Sequence, residues 1–265
     1  MLLSCVNVYQ QEIVDSSSIR EGKSKHVKIT NQKELRNVIA NNPQIEILLL
    51  DSLQLDSLPS ILYNLQHLKH LSLKNNPNLN LDPVFKGLVQ LKRLKFINLS
   101  NNQLHKLPDS FTLNTQIRAI KLSNNHIDFD HFSNQLSQLS NVNKVWLDNN
   151  NLSEFPRDLT DLNALRYLYI FNNNISEIPP EFYELKKLWE IHLGSNNFKI
   201  LPPNIRKAPQ LKMVFFNNND ITFIPNEFSK REGRLAAMTL LNNPLSDPEK
   251  QKANNYFKHF WLLKL

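Results

Sequence analysis

The sequence has few of the residue types and runs from which many enzyme sites and membrane anchors are built. It contains four glycines in 265 residues, which argues against glycine-rich loops that cradle phosphates. No segment approaches the roughly 18 consecutive apolar residues of a transmembrane helix. The motifs G-x-S-x-G, H-E-x-x-H and the P-loop do not occur. These absences disfavour the common hydrolases, metalloproteases and nucleotide-binding enzymes.

A single cysteine, Cys5, excludes an internal disulfide framework. Residues 2–5 read "LLSC", which resembles the lipobox at the end of a bacterial lipoprotein signal, although the basic and longer apolar stretches of such a signal are missing. Two interpretations stay open: lipidation of Cys5, with the signal starting upstream, or a chance match. Lipidation would place the protein at the cell envelope and give its only membrane contact; otherwise we expect the cytoplasm. In both cases residues 1–25 are expected to be a flexible tether.

Leucine and asparagine, in contrast, are abundant and recur at regular intervals. Nine segments align on L-x-x-L-x-L-x-x-N-x-L, for example "LKFINLSNNQL" at residues 94–104. Leu53 takes the place of the asparagine in the first segment. From there the successive intervals are 23, 26, 23, 25, 23, 23, 23 and 24 residues, a register that indicates a true repeat. The asparagines are Asn76, Asn102, Asn125, Asn150, Asn173, Asn196, Asn219 and Asn243.

Most copies continue with a second pattern, L-P-x-x-[ILF], such as "IPPEF" at residues 178–182. Together the two patterns resemble the leucine-rich repeat family, specifically its short bacterial class, over nine repeats in residues 44–246. The resemblance implies an α/β fold: a right-handed solenoid, or horseshoe, with a parallel β-sheet on its concave side and extended or 3₁₀ segments on its convex side. It also implies a protein or peptide ligand.

Each conserved letter within the repeat has a physical role. In x-L-x-L-x, the leucines of a short strand point inward and the x residues outward. A buried asparagine amide can satisfy backbone groups where the chain turns inside the coil, so the stacked copies predict an asparagine ladder. Proline fixes φ and stops a strand or helix from continuing. The longer intervals after Asn76 and Asn125 predict longer convex turns, which a helical turn would accommodate.

Open ends of a repeat array need covers. Residues 26–43 predict an N-terminal cap with a strand around residues 27–29 and a helix whose N-cap is Thr30. Residues 247–265 predict a C-terminal capping helix with Asp247 as N-cap and Pro248 in the first turn. Its apolar face is predicted from i, i+3, i+4, i+7 and i+8 spacing, and consists of Ala253, Tyr256, Phe257, Phe260 and Trp261.

The outward strand positions carry many aromatic residues. Clusters of exposed aromatic side chains often mark interfaces, although aromatic residues also favour strands in general. We therefore predict a partner-binding patch on the concave face. It comprises Trp146, Tyr167, Tyr169, Phe171, Trp189, His192, Met213 and Phe215.

Basic residues form a second outward column beside this patch, in a chain of net charge +7. They suggest acidic groups on the partner, while solvation of the sheet edge explains them almost as well. Nucleic acid would also use such a column, but we expect a protein or peptide. The column comprises Lys69, Lys95, Arg118, Arg166 and Lys212.

Histidines near other polar residues form two candidate metal groups: His67 with His70, and His126 with Asp128, Asp130 and His131. Neither has a known ligand spacing, and loop polarity explains them better. The sequence therefore predicts a monomeric, non-catalytic binding module without catalytic residues, metal or cofactor. A glycan ligand and a purely structural role in the cell envelope stay open as alternatives.

Overall fold

A computed structural model describes the backbone of residues 14–15 and all of residues 25–127, 138, 140–230 and 233–265. The candidate lipidation site Cys5 lies outside these residues, as do Asp128, Asp130 and His131. The chain divides into two compact units, residues 1–102 with 108–117, and residues 103–107 with 118–265. None of the helices in the described ranges has the length and apolarity needed to cross a membrane.

The first unit contains five short strands that pair in parallel and in chain order. They are β1 (Val14–Asp15), β2 (His26–Lys28), β3 (Ile47–Leu49), β4 (His70–Ser72) and β5 (Phe96–Asn98). The connections hold the helices α1 (Leu35–Asn41) and α2 (Leu81–Leu88) and the 3₁₀ segments Gln32–Glu34, Ser60–Asn64 and Asp109–Leu113.

The described residues of the second unit form seven strands, again parallel and in chain order. They are β6 (Ala119–Lys121), β7 (Lys144–Trp146), β8 (Tyr167–Tyr169), β9 (Glu190–His192), β10 (Met213–Phe215), β11 (Ala237–Thr239) and β12 (Leu262–Lys264). The connections hold the 3₁₀ segments Arg157–Asp161, Pro180–Glu184, Pro203–Lys207 and Asn226–Ser229 and the helix α3 (Asp247–Tyr256).

The inward leucine positions build the core, which confirms the predicted solenoid. In β8, for example, Leu168 is fully buried and pairs with Val145 on one side and Ile191 on the other. Ile170, two residues later, is also fully buried. Burial of one such side chain contributes about 1.5–3 kcal/mol relative to exposure. One coil cannot bury this face by itself, so the stability of each coil depends on its neighbours.

The L-P pattern produces the predicted 3₁₀ segments opposite the strands. Six of these segments follow directly after a proline whose φ lies between −58° and −71°. Proline holds the extended geometry before the turn, and an apolar residue within each turn is buried against the core, as Phe182 is. Helix α2 occupies the long interval after Asn76, whereas residues 128–137 and 139 of the long interval after Asn125 lie outside the described residues.

The repeat asparagines form a chain of hydrogen bonds through the core. The amide of Asn173 donates to the carbonyls of Ile170 at 3.0 Å and of Leu147, in the preceding coil, at 3.1 Å. Its Oδ1 accepts the backbone N–H of Leu152, also in the preceding coil, at 3.1 Å. The other repeat asparagines bond in the same manner. All are buried except Asn243, which is partly exposed in the last repeat.

A feature that the sequence interpretation left unexplained is the residue before each repeat asparagine, which is asparagine in most copies. This residue has a positive φ, between 52° and 59°. Asparagine tolerates that left-handed conformation better than most residues with a side chain. The Asn-Asn pairs therefore combine a turn residue with a ladder residue.

Both ends of the repeat array differ from the prediction in detail. Asn31, rather than Thr30, caps the first 3₁₀ turn by accepting the N–H of Lys33. Ser246, rather than Asp247, is the N-cap of α3. The helix is also shorter than predicted: it ends at Tyr256, and the chain then forms β12 along β11. That pairing satisfies backbone groups that a sheet edge would leave unpaired.

Candidate binding surface

Four rings stack on one another along the outward face of the second unit. The ring centroids of Trp146 and Tyr169 are 5.2 Å apart, those of Tyr169 and His192 4.5 Å, and those of His192 and Phe215 4.2 Å. The interplanar angles are between 12° and 24°. We call these four residues the ring column. Since the rings lie nearly parallel, the faces of the two inner rings are covered by their neighbours.

Strand register explains why the ring column forms. Trp146 pairs with Tyr169, Tyr169 with His192, and His192 with Phe215 as direct partners in β7–β10. Parallel strands lie about 4.8 Å apart, which is close to the separation at which aromatic rings stack favourably. A repeat of constant length therefore brings one ring per coil to stacking distance. The structure thus brings together the central residues of the predicted patch.

A buried carboxylate fixes two of these rings. Glu190 is 5% exposed, and its Oε1 lies 2.6 Å from Nε2 of His192. The hydroxyl of Tyr169 donates to the same Oε1 at 3.4 Å. Glu190 occupies an outward strand position, where the sequence interpretation considered aromatic and basic residues and Met213 but no acidic residue. An acidic residue two positions before an outward histidine was the available signal.

Asp148 is a second buried carboxylate, just beyond the end of β7. It is 4% exposed and accepts the backbone N–H of Phe171 at 3.2 Å and the hydroxyl of Ser123 at 3.1 Å. Burial raises the pKa of Asp148 to about 6, while these two hydrogen bonds and the charges of Lys121 and His192 partly counteract the rise. The sequence interpretation did not single out this residue.

The substitution Asp148→Asn is expected to stabilise the protein at neutral pH. The pKa of Asp148 rises on folding from 3.8, so the stabilising contribution of its protonated form is complete below about pH 4 and is lost as the pH rises through 6. An amide avoids the buried charge and still accepts the N–H of Phe171. We expect a gain on the order of 1–3 kcal/mol at pH 7.5 that disappears near pH 4, measured by denaturant unfolding.

The exposed Asp220 provides the control, since Asp220→Asn should change stability little at either pH. An equal gain from Asp148→Asn at pH 4 and pH 7.5 would contradict the assignment of the effect to the buried charge.

The other predicted patch residues are less uniform. Tyr167 and Trp189 meet edge to face, with centroids 5.9 Å apart. Phe171 is 42% exposed, whereas Met213 is only 8% exposed and offers little surface. Lys144, which was not part of the prediction, lies with its Nζ 4.4 Å from the centroid of Tyr167 and 5.4 Å from that of Trp146. A cation at this distance is attracted to a ring face.

The predicted basic column is interrupted. In the first unit, Lys69 forms an ion pair with Glu46 at 2.5 Å, and Lys95 donates to the carbonyls of Lys92 and Gln116. In the second unit, backbone hydrogen bonds place the corresponding residues in the order Arg118, Asn143, Arg166, Trp189, Lys212. Neutral residues thus separate the three cations. Arg166 and Lys212 are exposed and Arg118 is half-buried.

In the described ranges no three histidine, cysteine, aspartate or glutamate side chains could share a metal ion; Asp128, Asp130 and His131 of the second candidate group lie outside these ranges. His67 lies 3.2 Å from a guanidinium nitrogen of Arg93, and His70 meets Phe96 edge to face. His126 packs near His105, with ring centroids 5.6 Å apart.

Comparisons with known proteins agree with the repeat architecture. The family model described as Leucine Rich Repeat matches residues 93–113 and 164–185. No curated protein matches the chain by sequence. An internalin structure from Listeria monocytogenes str. 4b F2365 superposes with a TM-score of 0.58 and 20% identity, over 90% of this chain and 72% of that one. A structure of TLR13 bound to single-stranded RNA superposes with a TM-score of 0.67 and 19% identity, over 92% of this chain and 43% of that one.

Proposed function

Since the chain has the leucine-rich repeat fold, we propose that it is a non-catalytic module that binds a protein or peptide through the outward sheet face of its second unit. The observation that supports this most is the ring column. Its four side chains are all partly exposed, and the repeat core is complete without them. Large aromatic side chains that remain at a surface in one cluster are typical of interfaces.

The orientation of the rings favours a polypeptide over a glycan. Sugars bind aromatic residues by lying on a ring face, but the faces of Tyr169 and His192 are covered by neighbouring rings at 4.2–5.2 Å. The stacking leaves the edges of the inner rings, rather than their faces, for contact with a partner. Edges carry partial positive charge and suit carbonyl oxygens, which a polypeptide supplies at every residue. Side chains of a partner can pack between the edges of successive rings.

A selection of displayed random peptides on the immobilised full chain tests this proposal. Peptides that bind the wild-type protein are expected to lose affinity by about 30-fold or more on Trp146→Ala/Tyr169→Ala, because aromatic residues at the centre of an interface carry much of the binding energy. Titration by fluorescence anisotropy measures the loss. Tyr183, which is 49% exposed on a 3₁₀ segment of the same unit, gives the matched control Tyr183→Ala.

The structural alternative predicts a different result. If the ring column serves only to stabilise stacked coils, the double variant should lower the melting temperature and leave every selected peptide bound as tightly as before. That outcome would contradict the proposed function.

A further inference from the structure

On the proposed binding face of the second unit, the basic side chains reach solvent and the acidic side chains are buried. Its outward strand positions carry cations that reach solvent, including Lys121 and Lys144, whereas its two carboxylates, Asp148 and Glu190, are 4% and 5% exposed. Within the described residues, no carboxylate lies at ion-pairing distance from Arg118, Lys121, Lys144 or Arg166. Lys121 interacts electrostatically with the buried Asp148, but the charge that a partner can reach on this face is positive.

Basic and apolar residues also occupy different strands of this face. Four cations lie on or directly before β6–β8: Arg118, Lys121, Lys144 and Arg166. On or directly before β9–β11 the outward residues are mainly apolar: Trp189 and Phe215 are partly exposed, Met213 and Ala237 are buried, and Lys212 is the single exposed cation. With strands about 4.8 Å apart, each half is on the order of 10 Å wide. The ring column runs through both halves.

We propose that this face binds a protein segment in which a cluster of acidic residues adjoins a cluster of apolar residues. This rests on the proposed function and adds the chemistry of the partner. The acidic cluster lies across β6–β8, where it pairs with the four cations, and the apolar cluster lies across β9–β11 against Trp189 and Phe215. Complementary charge in one half sets the orientation of the segment, and apolar contact in the other half supplies affinity.

Single-stranded nucleic acid would also be attracted by the cations, but the geometry of the rings disfavours it. Bases bind by stacking on exposed aromatic faces. Tyr169 lies between Trp146 and His192, and Lys144 lies over the ring of Trp146, 5.4 Å from its centroid. The positive ring edges that the stacking leaves for contact suit carboxylate oxygens.

A library of random peptides of about 14 residues, selected for binding to the full chain, tests the proposal by the sequences that become enriched. We expect enriched peptides to contain an Asp/Glu block beside an apolar block. Their affinity should fall at least about 10-fold on Lys121→Glu/Lys144→Glu and should decrease as salt increases. The control Lys199→Glu/Lys207→Glu makes the same change of charge at exposed positions off the sheet face of the same unit and should leave affinity within about 2-fold.

The arrangement of the two blocks is tested with one enriched peptide and its rearranged form. A peptide of identical composition in which acidic and apolar residues alternate should bind at least about 10-fold more weakly, because only the block order matches both halves of the face. Phe215→Ala should weaken the intact peptide but not a truncated peptide that keeps only the acidic block. Equal binding of the alternating peptide would overturn the proposal.

The outcomes separate this inference from the proposed function. Enriched peptides without an acidic block whose binding requires Trp146 and Tyr169 would leave the proposed function intact and overturn this inference. Selection of no peptide that requires the ring column would contradict both. A different result would identify nucleic acid as the partner instead. In that case a 20-nucleotide poly(U) RNA would bind the wild-type chain more tightly than the best peptide, and its binding would be lost on Lys121→Glu/Lys144→Glu.

Discussion

Replacement of Asn173 by alanine is expected to lower the free energy of unfolding by about 3–5 kcal/mol, because each buried backbone group left without a partner costs about 1–3 kcal/mol. The Oδ1 of Asn173 accepts the N–H groups of Asn150 and Leu152, and its amide donates to the carbonyls of Leu147 and Ile170. Alanine supplies none of these bonds, and the site is only 7% exposed. Denaturant unfolding of the purified protein measures the loss.

Two further variants identify the cause of this loss. Asn174 is the next residue, is exposed, and bonds to Asn151 at 2.7 Å, so Asn174→Ala should cost less than about 0.5 kcal/mol. Asn173→Asp keeps the acceptor but loses the donors at neutral pH and should also be strongly destabilised. A loss below about 1 kcal/mol for Asn173→Ala would show that the ladder contributes little to stability.

Phe182→Ala is expected to lower the free energy of unfolding by about 3–5 kcal/mol, as is usual when a buried aromatic side chain is removed from a core. Phe182 is fully buried and meets Phe155 edge to face, with centroids 5.7 Å apart. The cavity cannot collapse easily because the preceding proline and the 3₁₀ turn hold the backbone in place.

Tyr183 offers an adjacent control on the same turn. It is 49% exposed, so Tyr183→Ala should change the unfolding free energy by less than about 0.5 kcal/mol. Denaturant unfolding measures both variants. If they lose similar amounts of unfolding free energy, the loss comes from the turn and not from the buried ring, and the assignment of Phe182 to the core would be contradicted.

The repeat part of the fold could be predicted from the sequence because one short pattern specifies it many times. Residues equivalent to Leu168 and Ile170 recur in every repeat, so a wrong assignment of one repeat is revealed by the others. The C-terminal end has no such redundancy. The apolar run that includes Phe257, Phe260 and Leu263 suits a helix or a strand, and pairing with β11 determines that residues 262–264 form a strand.

The positions of the candidate binding surface were also predictable, whereas the burial of its charged residues was not. The repeat frame assigns Trp146, Tyr169, His192 and Phe215 to one outward column from spacing alone. The burial of Glu190 depends on side chains of adjacent strands, such as Tyr169, that lean over it. Single-strand periodicity contains no information on such contacts, so the burial of both carboxylates emerged only in three dimensions. The interruption of the basic column by Asn143 and Trp189, in contrast, follows from the repeat spacing.

The asparagine hydrogen bonds have a direction. Each repeat asparagine accepts a backbone N–H from the coil before it. The N–H groups of Ile175, Phe198 and Ile221 donate to the side-chain oxygens of Asn196, Asn219 and Asn243, respectively. A coil therefore depends on its successor for this bond, and not on its predecessor. Opening of a coil removes this bond from the turn before it, while the turn after it keeps its bond to the asparagine of the next coil. Fraying within each unit should accordingly travel towards the N-terminus more easily than towards the C-terminus, so that a symmetric-looking stack of coils melts with a preferred polarity.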